Sequence, residues 1–535
     1  MISFLKNTFK GKGKTESKVE ASGEVVYETD IASTKIARSK MYLREDVKVL
    51  DKYPLADPWV EAIIVEDLRS GDIIYNVDEI SLNEHELKVF KDIIDYLTWE
   101  LEPPKGDTDI REYFQKHAKR AVRMFQLKLG KTPTLSWAKM MYYVEREVLG
   151  YGFLDPLFKD PNIEDISCNG HGKPIYVWHR KYESIPTNLF FPAETELNSY
   201  ILKLAHMSGK HISVAYPVLD AMLPGGHRVA ATFQNEVSAK GSTFTIRKFR
   251  EDPITIIDMI NFGTISSELA AYFWTLMDYK MTTLVIGSTG AGKTSTLNAL
   301  ATLLRPTYKI VTVEDTPEIR LPQENWVQLV SRSSYLAGGE TKEIDLFQLV
   351  KISLRYRPDV LIVGEVRGEE AYVLFQAVAT GHSGITTLHA ENIDAAVKRL
   401  TSPPMNIPMV YIPLINAALV IKRVTKLDDE GRPRPARRIT NVWEIDDQGR
   451  YIEISKWNPI KDFFEADFSR SYLLKRIADM SGRTFSDVLE SLSVKRLILE
   501  KLAAKNIRSY KESAKYIYKY YVSPKDVLSS LEVVK

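Results

Sequence analysis

Between Gly287 and Ser295 the chain reads Gly287-Ser288-Thr289-Gly290-Ala291-Gly292-Lys293-Thr294-Ser295, after the apolar run Leu284-Val-Ile and before Thr-Leu-Asn-Ala-Leu. Glycines at this spacing let successive backbone N–H groups turn inward, and a helix starting at the lysine adds the positive end of its dipole. Such a loop cradles a phosphate chain. Lys293 is placed to reach the β- and γ-phosphates, and the Thr294 hydroxyl to ligate Mg²⁺. A strand, then GxxxxGK[ST], then a helix is the context this chemistry requires, so ATP and Mg²⁺ are the expected cofactors.

Further polar clusters follow apolar runs. Asp359-Val-Leu-Ile-Val-Gly-Glu365 ends a buried-type strand in a carboxylate, at the sheet edge where ligands bind parallel sheets. Glu365 is placed there to order the Mg²⁺ shell or to polarise an attacking water. Lys309-Ile-Val-Thr-Val-Glu314-Asp315-Thr-Pro-Glu318 breaks into three acids, which repel one another unless a cation compensates. His382 and His389, two of nine histidines, lie seven apart with a strand between them, too far for a compact metal pair. They read either as core histidines or as γ-phosphate-sensing or interface groups. Arg228 and Arg247 precede a charged linker. They are either strand-edge cations or arginines that neutralise phosphoryl charge from a neighbour.

The elements that must hold these groups follow from patterning. Residues 254–441 alternate apolar strands with helical segments, the βαβ signature of a parallel sheet and an α/β fold. Residues 151–248 mix short strands with one helix near 194–209, a small α+β domain, and 249–253 is the linker. Residues 31–150 read as a mostly helical N-terminal domain behind one strand near Val60. Residues 1–30 read as a mobile basic tail and 442–535 as a mainly helical C-terminal region. The length, 535 residues at 44% apolar and 27% charged, is that of a multidomain globular chain. A single cysteine, Cys168, excludes a disulfide scaffold and a cysteine-based metal module. Two uncharged windows, Leu400–Ile421 and Ala371–Ala390, are broken by prolines, glycines and polar residues and read as core rather than membrane spans.

In this order the motifs resemble one group, the secretion ATPases of the type II/type IV superfamily. Gly287–Thr294 is similar to its P-loop, Glu314–Glu318 to its Asp box, Asp359–Glu365 to its Walker B strand and Gly381–His389 to its His box. Pro161-Asn-Ile-Glu-Asp-Ile, Pro217–Arg228 and Thr245-Ile-Arg-Lys resemble its preceding domain, so the likeness covers about residues 150–440. Glu-Asp-Thr-Pro-Glu-Ile looks most like the archaeal branch that drives type IV pilus or archaellum assembly. Gly225-Gly226 departs from the Asp-Gly of many relatives.

The resemblance implies a RecA-like core behind a PAS-like domain. Glu365 would be the catalytic glutamate and Glu318 a Mg²⁺ or water contact. His382 and His389 would be a pair, and Arg228 and Arg247 would approach the nucleotide across domains or subunits. It further implies a homo-hexamer at the inner face of the membrane, a polytopic membrane platform protein as partner and an accessory cytoplasmic motor protein. Two other readings stay open: a nucleic-acid translocating or conjugation-type motor, and a nucleotide-sensing scaffold. No clustered basic or aromatic stripe asks for nucleic acid.

The net charge of +2 hides an uneven distribution. Residues 1–20 carry +3 and 493–535 carry +6, leaving −7 for 21–492. The C-terminal segment is also Tyr-rich (Tyr510, Tyr516, Tyr518, Tyr520, Tyr521). Basic ends of this kind either favour an anionic membrane surface or are ordinary solvated helix faces.

Overall fold

The computed structural model describes residues 46–100, 109–129, 132–249, 252–332, 344–427 and 433–532. The tail expected over 1–30 lies outside them. Two compact units divide between Arg250 and Glu251, inside the charged segment that ends at Pro253.

The first unit opens with strands β1 (Val47–Ala56), β2 (Val60–Asp67) and β3 (Ile73–Glu79). Helices α1 (Glu84–Glu100), α2 (Ile110–Met124), α3 (Pro133–Val148) and α4 (Asp155–Lys159) follow. Next come β4 (Ile163–Cys168), β5 (Pro174–His179), β6 (Glu183–Phe190), α5 (Glu194–Met207), β7 (Val218–Met222), β8 (Arg228–Thr232) and β9 (Thr243–Arg247). All nine strands share one sheet, in the order β1-β2-β3-β6-β5-β4-β9-β8-β7. One apolar core runs from Val60 to Ile246. The separate, mostly helical domain expected over residues 31–150 is therefore not seen among the described residues: the strands of 47–79 extend the sheet of 163–247. Their patterning hid them. β3 reads Ile-Ile-Tyr-Asn-Val-Asp-Glu and buries Asn76 and Glu79 beside Tyr75 and Val77. The Glu79 carboxylate is affordable inside because Arg146 of α3 donates to it at 2.7 Å and the Tyr142 hydroxyl at 2.5 Å.

The second unit contains α6 (Ile256–Asn261), α7 (Ser267–Asp278), β10 (Thr283–Gly287), α8 (Lys293–Ala301), β11 (Ile310–Glu314) and β12 (Trp326–Val330). It continues with α9 (Leu346–Ser353), β13 (Val360–Val363), α10 (Glu370–Ala379), β14 (Ser383–His389), α11 (Ile393–Thr401), β15 (Ala417–Leu427) and β16 (Pro433–Ile445). It closes with β17 (Tyr451–Asn458), β18 (Phe463–Ala466), α12 (Tyr472–Ser481), α13 (Phe485–Ala504), α14 (Tyr510–Val522) and α15 (Pro524–Glu532). The sheet order is β12-β11-β13-β14-β10-β15-β16-β17-β18, parallel as far as β15 and antiparallel beyond it.

β10 and β13 are buried at every position, because helices cover both faces of the parallel part. Alternate residues divide between two apolar clusters. Val285 joins α6, α7, α8 and the C-terminal helices on one face, while Leu284 and Ile286 join α9, α10 and α11 on the other. This is the RecA-like α/β core. The region after residue 441 begins with strands rather than helices: the end of β16, then β17 and β18, carry the sheet outward before α12 starts. Fully buried Glu444 in β16 caps α12, accepting from the backbone N–H groups of Tyr472 (2.7 Å) and Leu473 (3.0 Å).

Candidate functional site

β10, β14 and β13 run parallel, so their C-terminal ends meet at one edge. Gly287, where the cradle begins, is paired in register with His389, and Val363 of β13 with Thr386 of β14. His389 therefore stands on the strand between the P-loop and Glu365. The backbone on either side of Glu365 is tied to the same strand. The Thr387 hydroxyl donates to the Gly364 carbonyl (2.8 Å), and the Val366 N–H to the Thr387 carbonyl (3.1 Å).

Gly290 and Gly292 take φ values of 72° and 100°, the left-handed region a glycine supplies without strain, and α8 starts immediately after Gly292. Ser288, Thr289, Ala291, Thr294 and Ser295 complete the turn and the first helical residues. Lys293 folds back to the Ser288 carbonyl at 3.2 Å. Burial holds its ammonium below the usual lysine range, and Arg367 and Arg399 add to that, while the Glu365 carboxylate opposes it. His389 is likewise held low, first by burial and then by Lys293 and Arg399. Arg367 donates to Glu365 at 2.6 Å, and Arg399 of α11 donates to the His389 carbonyl at 2.7 Å. One acid, one histidine and three cations thus act on one another at this edge.

The acidic cluster after β11 sorts itself by burial. Glu314 is buried and accepts the N–H groups of Glu318 (2.9 Å) and Ile319 (2.8 Å) and the Gln328 side-chain amide (2.8 Å). Burial pushes it up to about 7. It organises the turn that presents exposed Glu318, and it packs on Gly364 just ahead of Glu365. This positioning role is legible only once β11 and β13 are known to be neighbours. Asp359 lies at the other end of β13, where it accepts from Lys280 (2.5 Å) and the Lys309 N–H (2.8 Å). It clips the strand start and does not reach the cradle.

His382 is not brought to the cradle either. It sits at the N-terminal end of β14, with Nδ1 3.2 Å from the Ala377 carbonyl and 3.4 Å from the Thr380 hydroxyl. An extended strand advances ~3.3 Å per residue, which puts the two histidines about 23 Å apart. The expected pairing, and His382 as a nucleotide contact of this chain's own site, are corrected accordingly.

Arg228 and Arg247 belong to the first unit and face each other across β8 and β9. Arg228 grips Asp220 through two bonds of 3.0 and 2.8 Å, and Arg247 donates to Asp165 at 3.2 Å. Both are well exposed. Gly225 and Gly226 just before them have φ of 82° and 83°, and a Cβ on Gly226 would lie 3.1 Å from the Phe249 ring. The neighbouring His227 accepts the Phe249 N–H at 2.9 Å, with burial pushing it down to about 4. The glycine pair, the arginine strand and the residue that enters the linker are thereby one packed piece.

The oxygen donors at the nucleotide edge are the Thr294 hydroxyl and the carboxylates of Glu365 and Glu318. That set suits a Mg²⁺ ion held mostly by phosphates and water rather than by a protein cage. Among the described residues no group of three or more His, Cys, Asp or Glu side chains is arranged to hold a metal ion by itself.

A sequence model for "Type II/IV secretion system protein" matches residues 172–444. An uncharacterized protein of Methanocaldococcus jannaschii is 37% identical over 373 residues, covering 68% of this chain and 66% of that protein, a little under two thirds of its length. A second from the same organism is 44% identical over 239 residues, covering 44% of this chain and 86% of its own. The X-ray structure of the Legionella pneumophila ATPase DotB is similar at 18% identity and a TM-score of 0.41, covering 69% of this chain and 95% of that one. With its family match spanning just over half its length, the chain belongs to the type II/IV secretion system protein family.

Proposed function

We propose that the chain is a Mg²⁺-dependent ATPase. As a homo-hexamer it would turn ATP hydrolysis into domain motion, driving assembly of a type IV pilus-like filament, pilus or archaellum, at the cytoplasmic face of the membrane. The observation that carries the reading is the meeting of Lys293, His389 and Glu365 at one edge of a parallel sheet. The P-loop backbone would bind the β-phosphate and Lys293 would neutralise charge on the β- and γ-phosphates. Glu365, its backbone held by Thr387, would orient the attacking water and accept its proton. His389, its imidazole held below the usual histidine range by burial and then by Lys293, would sense the γ-phosphate from the intervening strand. Thr294, Glu318 and Glu365 would hold Mg²⁺, which when bound spreads the negative charge of the transferring phosphoryl group. Arg228 and Arg247 would each need release from Asp220 or Asp165 to add positive charge from the first unit. The partners that fit are a polytopic membrane platform protein and an accessory cytoplasmic motor protein.

The test is phosphate release by the full chain with Mg-ATP. Lys293→Ala is expected to abolish it, a loss on the order of 10²-fold or more. Unchanged turnover in that variant would sink the reading. Turnover stimulated by single-stranded DNA would instead favour a nucleic-acid motor.

A further inference from the structure

The strand pair that leaves the sheet beside the P-loop carries a row of basic side chains past the cradle. β15 pairs with β10 up to Val420 opposite Ile286, then runs on past the cradle with β16 beside it. In register, Lys422 faces Arg438, Arg423 faces Arg437 and Lys426 faces Arg434. Like charges placed directly opposite each other destabilise a strand pair. On one face the conflict is settled internally: Asp462 accepts from buried Arg438 at 2.7 and 2.8 Å and from Lys426 at 2.7 Å. On the other face, exposed Arg437 has no carboxylate within ion-pair distance among the described residues. Its guanidinium instead reaches the Gly290 carbonyl at 3.5 Å, and its Cδ lies 3.2 Å from where a Cβ on Gly292 would be. Ile421 packs in the same place, its Cδ1 3.5 Å from that position. The arginine therefore lies along the glycines whose N–H groups form the phosphate cradle.

We infer that Arg437, with Arg423 across the strand pair, binds the polyphosphate of the nucleotide held by the same chain's P-loop. A planar guanidinium matches phosphate oxygens with two parallel bonds, and Arg437 lies against the glycines of the phosphate loop. The contact is to phosphate rather than base, because the neighbours of Arg437 are the turn residues Gly290 and Gly292. This inference rests on the ATPase reading and adds to it a binding residue that no motif marks.

Calorimetric titration of the full chain with Mg-ADP, Mg-GDP and a Mg-bound non-hydrolysable ATP analogue tests it. Arg437→Gln is expected to weaken all three about tenfold or more, by the same factor for adenine and guanine. Arg437→Lys should fall in between, and Arg423→Gln should lose roughly threefold. The salt dependence of binding should become shallower in Arg437→Gln. An Arg437→Gln affinity within twofold of wild type, or a loss confined to adenine nucleotides, overturns the inference. If that variant does not fold, unchanged affinity in both Arg437→Lys and Arg423→Gln overturns it equally. Absence of binding by the wild-type chain overturns the ATPase reading and the inference together. Wild-type binding with unaffected arginine variants overturns the inference alone.

Discussion

At the scale of single residues, the two histidines separate by where their strand puts them. His389 is in register with the first glycine of the cradle and is coupled to Lys293 and Glu365, whereas His382 hydrogen-bonds at the far end of the same strand. His389→Ala should therefore lower ATP turnover roughly tenfold or more. His382→Ala should leave nucleotide affinity of the isolated chain within twofold, as fluorescence titration with a labelled nucleotide would read. Equal loss of affinity in both variants would contradict the separation. The P-loop and Glu365 were legible in the sequence because their chemistry depends on local spacing: glycines at fixed intervals, and a carboxylate one glycine after four apolar residues. Arg437 was not legible, since its partner Gly290 is 147 positions away and only the register of β10, β15 and β16 brings them together. His382 was misplaced for the opposite reason. The family likeness makes one pair of both histidines, yet the strand between them carries them to its opposite ends.

At the scale of elements, the continuous apolar runs of β10, β11 and β13 announced themselves, because strands buried on both faces need no polar alternation. β1, β3, β17 and β18 did not. β1, β17 and β18 are half-exposed and interleave charged and apolar side chains, as in Phe463-Phe-Glu-Ala of β18, while β3 buries polar Asn76 and Glu79 among its apolar residues. The C-terminal helices were read as mainly helical, and α12 to α15 are so, but their basic and tyrosine-rich composition concealed how firmly they are built into the second unit. Lys495 of α13 is buried, with its ammonium 2.6 Å from Asp278 and 3.1 Å from the Thr275 hydroxyl of α7. The Tyr521 hydroxyl of α14 donates to the same Asp278, and Trp274 donates to Tyr521 at 2.8 Å. Removing one partner of a buried pair leaves the other charge uncompensated, at a cost of about 3–5 kcal/mol. Lys495→Met should accordingly destabilise the chain by about 3 kcal/mol in urea denaturation. The double variant Lys495→Met with Asp278→Asn should recover part of that loss. A change below about 0.5 kcal/mol in the single variant would mean that these helices are not part of the cooperative unit.

At the scale of the whole molecule, the internal use of the C-terminal tyrosines decides between the two basic ends. Tyr516, Tyr518, Tyr520 and Tyr521 pack against the core of the second unit, so they are not offered to a lipid surface, and Lys495 is spent on Asp278. No helix among the described residues is long and apolar enough to cross a membrane. What a membrane surface can grip is therefore charge from the outer faces of α13 and α14, and the first 20 residues, where five lysines lie beside Ile2, Leu5 and Phe9 at helical spacing. The N-terminal segment joins apolar side chains to positive charge, and interfacial binding draws on both. Each basic residue near an anionic surface contributes about 1 kcal/mol, and the attraction falls within a Debye length. Deleting residues 1–20 should thus reduce flotation with phosphatidylglycerol-containing vesicles roughly tenfold or more, while ATP turnover in solution stays within twofold. The combined Lys511→Glu and Lys515→Glu variant should lose less, and binding of the intact chain should weaken steadily as salt rises. If the shortened chain floats as well as the intact one, the N-terminal segment is not the anchor. Retained flotation that collapses in the lysine variant would place the grip on the C-terminal helices, charge alone then sufficing without an apolar face.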